Sequence, residues 1–452
     1  MLLLLMLTLS DPAAPASGSA VASAEASSDW PNWRGPGQDG VAVAADYPTE
    51  WGNSPLWSQA LPGRGSSTPV VARFDGGEPQ LLLTVSLDDP NSGDGNEGTA
   101  SNGVVSYALD GTANWQTPIS PLVAGKHKKA SGANPSIAVG EKLLFAYFKS
   151  GMLAALHPDG RIAWTKDLAR EFGGYDAESL WWDLGTSPVV QGENVIVAMM
   201  QSGPSFLVAL DQATGDVTWR TDRDTDAPLE AAQSYTTPVV GTYDGRDALF
   251  TAGADIVTCH DADNGRELWR IGGLNPEGDK YFRSIASPVL LGTADDNRDM
   301  LLVPYARGES VWAIAVPRNV GDPPREAAWV RNDLGSDVPT PTGSGGVAYI
   351  LTDKGKQRGT LHAVDVATGQ TLGTHTLPRG RDGYSASPVL AGDRLYLIRE
   401  DGAGFVVDVS DPASMETVSE NQVEGLVVAT PVLADGRLFL RTAETLYAFG
   451  SE

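Results

Sequence analysis

The stretch Thr186-Ser187-Pro188-Val189 joins hydroxyl residues to a proline and then to a β-branched apolar residue. Proline is best tolerated at the first residue of a strand, where its missing N–H and fixed φ cost least. The stretch therefore reads as a strand start. Counterparts stand at Thr68-Pro69-Val70, Asn134-Pro135-Ser136, Thr237-Pro238-Val239, Ser287-Pro288-Val289, Thr340-Pro341-Thr342, Ser387-Pro388-Val389 and Thr430-Pro431-Val432. The eight prolines succeed one another at intervals of 66, 53, 50, 50, 53, 47 and 43 residues. A period in this range marks a repeat architecture.

The residues after each start are equally regular. Beyond Pro188-Val189-Val190 come a turn at Gly192-Glu193-Asn194, the run Val195-Ile196-Val197-Ala198-Met199-Met200, and the run Phe206-Leu207-Val208-Ala209-Leu210-Asp211. A second turn at Ala213-Thr214-Gly215 leads into Val217-Thr218-Trp219-Arg220. Short β-branched runs separated by turn residues make an antiparallel meander of four strands. The frame returns around Tyr107 to Trp115, Ala154 to Trp164 and Val257 to Trp269. Four-stranded units repeated in this way predict an all-β, eight-bladed β-propeller. The eighth unit ends at Thr445-Leu446-Tyr447-Ala448-Phe449, its third strand, and an orphan strand, Ser54-Pro55-Leu56-Trp57-Ser58, precedes the first unit. The strand around Trp57 is expected to complete the last blade and remove an open sheet edge.

Composition supports one turn-dense disc rather than several domains: 452 residues carry 51 glycines and 30 prolines. Of the 12 tryptophans, Trp115, Trp164, Trp219, Trp269 and Trp329 recur at unit ends, as large plugs between blades would. The net charge of −25 argues against nucleic acid or an anionic membrane as partner. The single cysteine, Cys259, excludes an intramolecular disulfide and any cysteine-based metal cluster, and reads as a buried small hydrophobe.

The chain divides into three parts. Residues 1–26 read as a secretory signal peptide: the run Leu2 to Leu7 is too short to span a bilayer, and Ala22-Ser23-Ala24 and Ala24-Glu25-Ala26 resemble cleavage sites. No basic residue precedes the run, so a disordered Ala/Ser-rich leader is the alternative, and no lipobox cysteine comes after it, which argues against a lipoprotein anchor. Residues 27–50 contain Trp30-Pro31-Asn32-Trp33-Arg34-Gly35-Pro36, an extended segment expected to pack on the propeller surface. Residues 51–452 are the propeller, expected to be monomeric. Within it, the acidic glycine-rich residues 88–98 offer oxygen ligands for Ca²⁺ but lack the spacing of an EF-hand, and solvation is the simpler account.

The connections into the innermost strands are topologically equivalent and should converge on one face around the axis. They carry Arg64, the basic group His127, Lys128 and Lys129 after Lys126, then Trp182 and Asp183, Tyr235, Phe282 and Arg283, Asp337, Asp382 and Tyr384, and Glu424. A concave mouth mixing aromatic and charged groups is the expected ligand or partner site. Units six and seven break the tryptophan rule, with Gly373 at the place of Trp219 and no tryptophan near Thr417-Val418, and their outer edges should pack less tightly. Unit five carries an insertion over residues 317–325. The histidines His157, His260, His362 and His375 fall in strand frames and read as structural; no zinc spacing, nucleophile elbow or phosphate loop is present.

The unit Ala209-Leu210-Asp211-Gln212-Ala213-Thr214-Gly215-Asp216-Val217-Thr218-Trp219 resembles the PQQ-type propeller repeat, and Asp261 to Trp269 and Asp365 to Gly373 match it in part. The resemblance covers about residues 50–450, and the chain is similar to exported bacterial PQQ-binding-like propellers and, more distantly, to the BamB-like assembly propellers and quinoprotein alcohol dehydrogenases. It implies the eight-bladed fold; the motif encodes blade packing and leaves function open. Quinoprotein dehydrogenases pair two vicinal cysteines against PQQ and hold Ca²⁺ with a Glu/Asn/Asp set; one cysteine cannot supply the pair and no such set is evident. The sequence therefore predicts a binding or scaffolding propeller of the periplasm or cell envelope, with a protein partner, no transmembrane span and no cofactor. The alternative is a PQQ- and Ca²⁺-dependent dehydrogenase acting on alcohols.

Overall fold

Each proline-opened unit folds into one twisted antiparallel sheet. The third shows the pattern: Val189–Gln191, Asn194–Met200, Ser205–Asp211 and Val217–Asp222 lie side by side in chain order. Its two central strands are buried along almost their whole length, whereas the outermost alternates between buried and exposed. That is the burial expected of sheets standing face to face around an axis, each central strand covered by a neighbour on both sides. The structure, a computed structural model, describes residues 29–43, 46–52, 54–87, 100–123, 125, 127–173, 183–201, 203, 205–293, 297–319 and 321–450. It contains eight such sheets. The innermost strands are Val70–Ala72, Ala138–Val139, Val189–Gln191, Val239–Tyr243, Val289–Gly292, Thr342–Ser344, Val389–Ala391 and Val432–Ala434.

The ring closes as expected. Trp57–Ala60 adds to the eighth sheet antiparallel to Thr445–Phe449, with Trp57 opposite Ala448 and Ala60 opposite Thr445. The first blade departs from four strands: Gly63–Arg64 and Val70–Ala72 both pair with Gln80–Leu87, which at eight residues is long enough to hold both. Among the described residues no helix is long and apolar enough to cross a membrane. Cys259 is buried, and desolvation pushes its thiol pKa up.

Tryptophan clasps join successive blades. Trp164 donates its indole N–H to the Gln212 carbonyl of the next blade at 2.9 Å, and its ring lies against Gly215. Gly215 has φ +75°, and a Cβ there would sit 2.8 Å from the ring. Trp57 with Gly111, Trp115 with Gly160, Trp219 with Gly265 and Trp329 with Gly369 repeat the arrangement. The clasp needs both members. Trp269 faces the blade that carries the 317–325 insertion, and its indole N–H has no hydrogen-bond partner among the described residues.

The looser outer edge expected of blades six and seven is not found. Gly373 stands opposite Ala363, as Trp219 stands opposite Ala209, but a Cβ on it would lie 2.1 Å from the Pro412 carbonyl oxygen. Backbone approaches backbone there, and only glycine leaves room. In blade seven Ser419 holds the tryptophan position, and the N-terminal segment supplies the missing ring. Trp51 stacks on Tyr396 at 6.1 Å between centroids and tilts against Phe449 of the eighth blade. The Trp51 backbone N–H donates to the Asn421 side-chain oxygen at 2.7 Å.

The same segment straps the disc. Trp30 exchanges backbone hydrogen bonds with Val71 of blade one, and the Pro31 carbonyl accepts from Val139 of blade two. Gln38 accepts from the Val240 N–H of blade four. Arg34, fully buried, donates to the carbonyls of Pro341 (2.7 Å) and Pro388 (3.1 Å), on blades six and seven. Burial holds the Arg34 guanidinium pKa down at about 10. Gly40 and Ala42 then bracket Leu390. The segment thus crosses the axis from blade one to blade seven.

Candidate functional site

The residues at the strand starts build a closed hydrogen-bonded ring. The Thr68 N–H donates to the Ser136 hydroxyl at 2.9 Å, Ser136 to Ser187 at 3.0 Å, Ser187 to Thr237 at 3.0 Å and Thr237 to Ser287 at 2.9 Å. Ser287 continues to Thr340 at 2.9 Å, Thr340 to Ser387 at 2.9 Å, Ser387 to Thr430 at 3.2 Å, and Thr430 returns to Thr68 at 3.1 Å. In seven blades the hydroxyl residue precedes the proline, which biases it to extended backbone and fixes where its N–H points. All eight residues are buried. Seven of them, all but Thr340, line an axial cavity of about 380 Å³. Trp33 of the strap also lines it, closing the end away from the inter-blade connections. The cavity is a one-ended recess floored by an aromatic ring and walled by hydroxyls, each already accepting one backbone hydrogen bond.

Charged groups guard the open end, and they are paired. The Asp183 carboxylate accepts from the N–H groups of Ser131 (2.8 Å), Gly132 (2.6 Å) and Leu184 (3.0 Å), in a backbone with φ +89°. Burial pushes its carboxyl pKa up against those hydrogen bonds. Lys129 spans the mouth to Glu400 at 2.5 Å, and Ser385 also donates to Glu400 at 2.6 Å. Arg283, buried, lies 3.3 Å from Glu230 and 3.7 Å from Asp337, which is also met by Lys354 at 3.3 Å. Desolvation and then the neighbouring Lys129 and Lys128 charges hold the His127 pKa down. Tyr235, whose phenol pKa burial raises, donates to Gln233 at 2.9 Å.

Of the residues that sequence assigns to the mouth, the structure brings together His127, Lys129, Asp183, Tyr235, Arg283 and Asp337. The others stand apart from the cavity. Arg64 faces Glu444 at 3.7 Å, Lys128 and Glu424 are exposed, and Phe282 packs edge-on against Tyr305. Asp382 and Tyr384 lie on a separate groove between blades six and seven. Equivalence of connections fixes the face but not the distance from the axis, which depends on loop length. Trp182, Lys126 and the acidic residues 88–98 lie outside the described residues. Sequence reasoning overlooks Trp33, Ser385 and Glu400. The hydroxyl ring is present in the sequence as the Ser/Thr before each proline, but locally that pattern reads only as a strand signal.

The quinone and Ca²⁺ of the resembled dehydrogenases can be weighed against this wall. Among the described residues, no group of three or more His, Cys, Asp or Glu side chains converges to hold a metal ion. Asp183, Asp337 and Glu400 are drawn apart by separate donors, and Cys259 sits in a blade interior. These residues do not fit a calcium-bound quinone.

The fold and its repeats place the chain among the PQQ-repeat β-propellers. It belongs to the family described as outer membrane protein assembly factor BamB, whose sequence profile matches residues 101–372 and 357–451. Solved structures agree on the fold. BamB from Moraxella catarrhalis is 15% identical with a TM-score of 0.57, covering 88% of this chain and 99% of that one. A europium-containing methanol dehydrogenase is 11% identical with a TM-score of 0.65, covering 94% and 98%. The quinohemoprotein alcohol dehydrogenase ADHIIG from Pseudomonas putida HK5 is 13% identical with a TM-score of 0.58, covering 94% and 80%. None of the curated proteins compared matches the sequence closely enough to count as a relative.

Proposed function

We propose that this chain is a non-catalytic binding propeller of the periplasm or cell envelope, and that the connection face around the axial recess receives a protein partner. The observation that carries this reading is the pairing at the mouth. Asp183, Asp337 and Glu400 brace loops and cations, which suits a preformed surface more than a reacting centre that must release a proton or hold a metal. Family membership supports it. On the connections into blades four and five, Leu229 is 69% and Tyr281 49% exposed, apolar anchors of the kind that interfaces use. Export through a cleaved leader is part of the same proposal.

The test has two arms. The purified chain is titrated with PQQ and Ca²⁺, followed by tryptophan fluorescence, and assayed for dye reduction with simple alcohols. We expect neither saturable binding nor turnover. A photo-crosslinking residue at Tyr281 should capture one envelope protein in cells, and the same residue at Thr218 on an outer strand should not. Turnover with alcohols would replace this reading with the dehydrogenase.

A further inference from the structure

A groove of about 480 Å³ lies on the connection face between blades six and seven, outward of the axial recess. Two loops shape it, residues 352–360 within blade six and residues 377–384 leading into blade seven. Its walls carry Lys356, Arg358, Arg379 and Arg399 against one carboxylate, Asp382. Acidic residues outnumber basic ones 57 to 32 over the whole chain, so this local excess runs against the composition.

The neighbouring acids neutralise it only in part, through Arg399. Asp401 is held in a two-pronged pair by Arg399, at 2.9 Å on each side. Asp353 is buried and accepts from the N–H groups of Asp337 and Val338. Lys354 is turned to Asp337. Arg358 donates to the Gly380 carbonyl at 3.0 Å. Lys356 and Arg379, both exposed, make no hydrogen bond or ion pair with any described residue. Like charges gathered on short loops repel one another, and among the described residues the Arg399–Asp401 pair is the only ion pair that any of the four cations makes.

The back of the groove is built rather than loose. Arg399 is 8% exposed and is fixed by Asp401, by the Pro378 carbonyl at 2.9 Å and by the face of Phe405, 5.6 Å from the ring centre. Gly380 gives it passage, since a Cβ there would stand 2.1 Å from the guanidinium carbon. Buried Tyr384 completes the wall. With the Arg399 fork committed to Asp401 and Pro378, Arg358 and Arg379 are the guanidinium groups left to match the oxygens of a phosphate or carboxylate, and the volume falls in the range of small-molecule sites.

We propose that this groove binds a multiply charged oxyanion, specifically a phosphoryl group, carried by a small molecule or by a lipid headgroup. The site is independent of the axial recess and of the function proposed for it.

Two titrations of the full chain test it, one with inorganic pyrophosphate by calorimetry, one by sedimentation with phosphatidylcholine vesicles with and without phosphatidylglycerol. Lys356→Glu/Arg379→Glu should weaken binding at least tenfold, and Lys142→Glu, an exposed reversal on blade two, should not. Arg358→Gln serves as a milder second variant, and a urea midpoint confirms that each folds. Pyrophosphate binding with this dependence supports a small-molecule ligand. Binding only to phosphatidylglycerol vesicles, with the same dependence, supports a headgroup. No binding to either, or binding that the double reversal leaves unchanged, overturns the proposal.

Discussion

At the scale of single residues, several of the buried polar groups are anchored by hydrogen bonds to backbone. His260 is an example. It is fully buried in blade four, with Nδ1 3.1 Å from the Gly265 carbonyl, an arrangement that fits a neutral ring donating its N–H. Burial holds its pKa down at about 4, against 6.5 for an unperturbed histidine. As pH falls, the unfolded chain takes up this proton first, so the folded state loses stability between about pH 6.5 and 4 and no more below that. Asp353 runs the other way, its pKa raised to about 6 by burial, so it favours the folded state as pH falls. The two must be separated by mutation. The difference in unfolding free energy between the wild type and His260→Gln should shift against the wild type by on the order of 3 kcal/mol from pH 7 to pH 4. Urea denaturation across that range measures it; a difference independent of pH would mean that His260 is protonated in the fold. The structural role of His260 is legible because its strand frame repeats. The role of Asp183 as a loop brace is not, because Ser131 and Gly132 lie about fifty residues away and only the packing of blade two beside blade three brings them to it.

At the scale of elements, the tryptophan and the glycine of the next blade form one unit of design split between two repeats. The sequence shows the tryptophans plainly, and where Gly373 and Ser419 replace them it suggests weak seams. The structure fills one seam with close backbone contact and the other with Trp51. Neither remedy could be read locally, since Pro412 and Trp51 belong to different parts of the chain. Two substitutions check this account by thermal and urea unfolding. Trp51→Ala should cost about 3–5 kcal/mol, the usual effect of emptying a buried aromatic site. Gly373→Ala, which the looser-edge expectation would allow freely, should cost about 1–3 kcal/mol because Pro412 has no room to retreat. Exposed Gly436, with no atom within 4 Å of an added Cβ but with φ +68°, is the comparison that isolates backbone strain from crowding.

At the scale of the whole molecule, the number of blades, their order and the closure through Trp57 are all legible, because periodicity and the missing eighth outer strand are global properties of the sequence. The path of the strap is not, since an aperiodic segment carries no register to read. Closure has a mechanical consequence. Trp57 lies opposite Ala448 in an antiparallel pair, so the chain enters and leaves the eighth blade at the same end of two adjacent strands. Tension between the two ends of the chain would first peel away the strap and Trp51. It would then load that pair one hydrogen bond at a time, as in a zipper, rather than all four residue pairs together in shear. A disc stitched shut by an eight-membered ring of hydroxyls can thus be hard to melt and easy to pull open, with its tear always starting at the same seam.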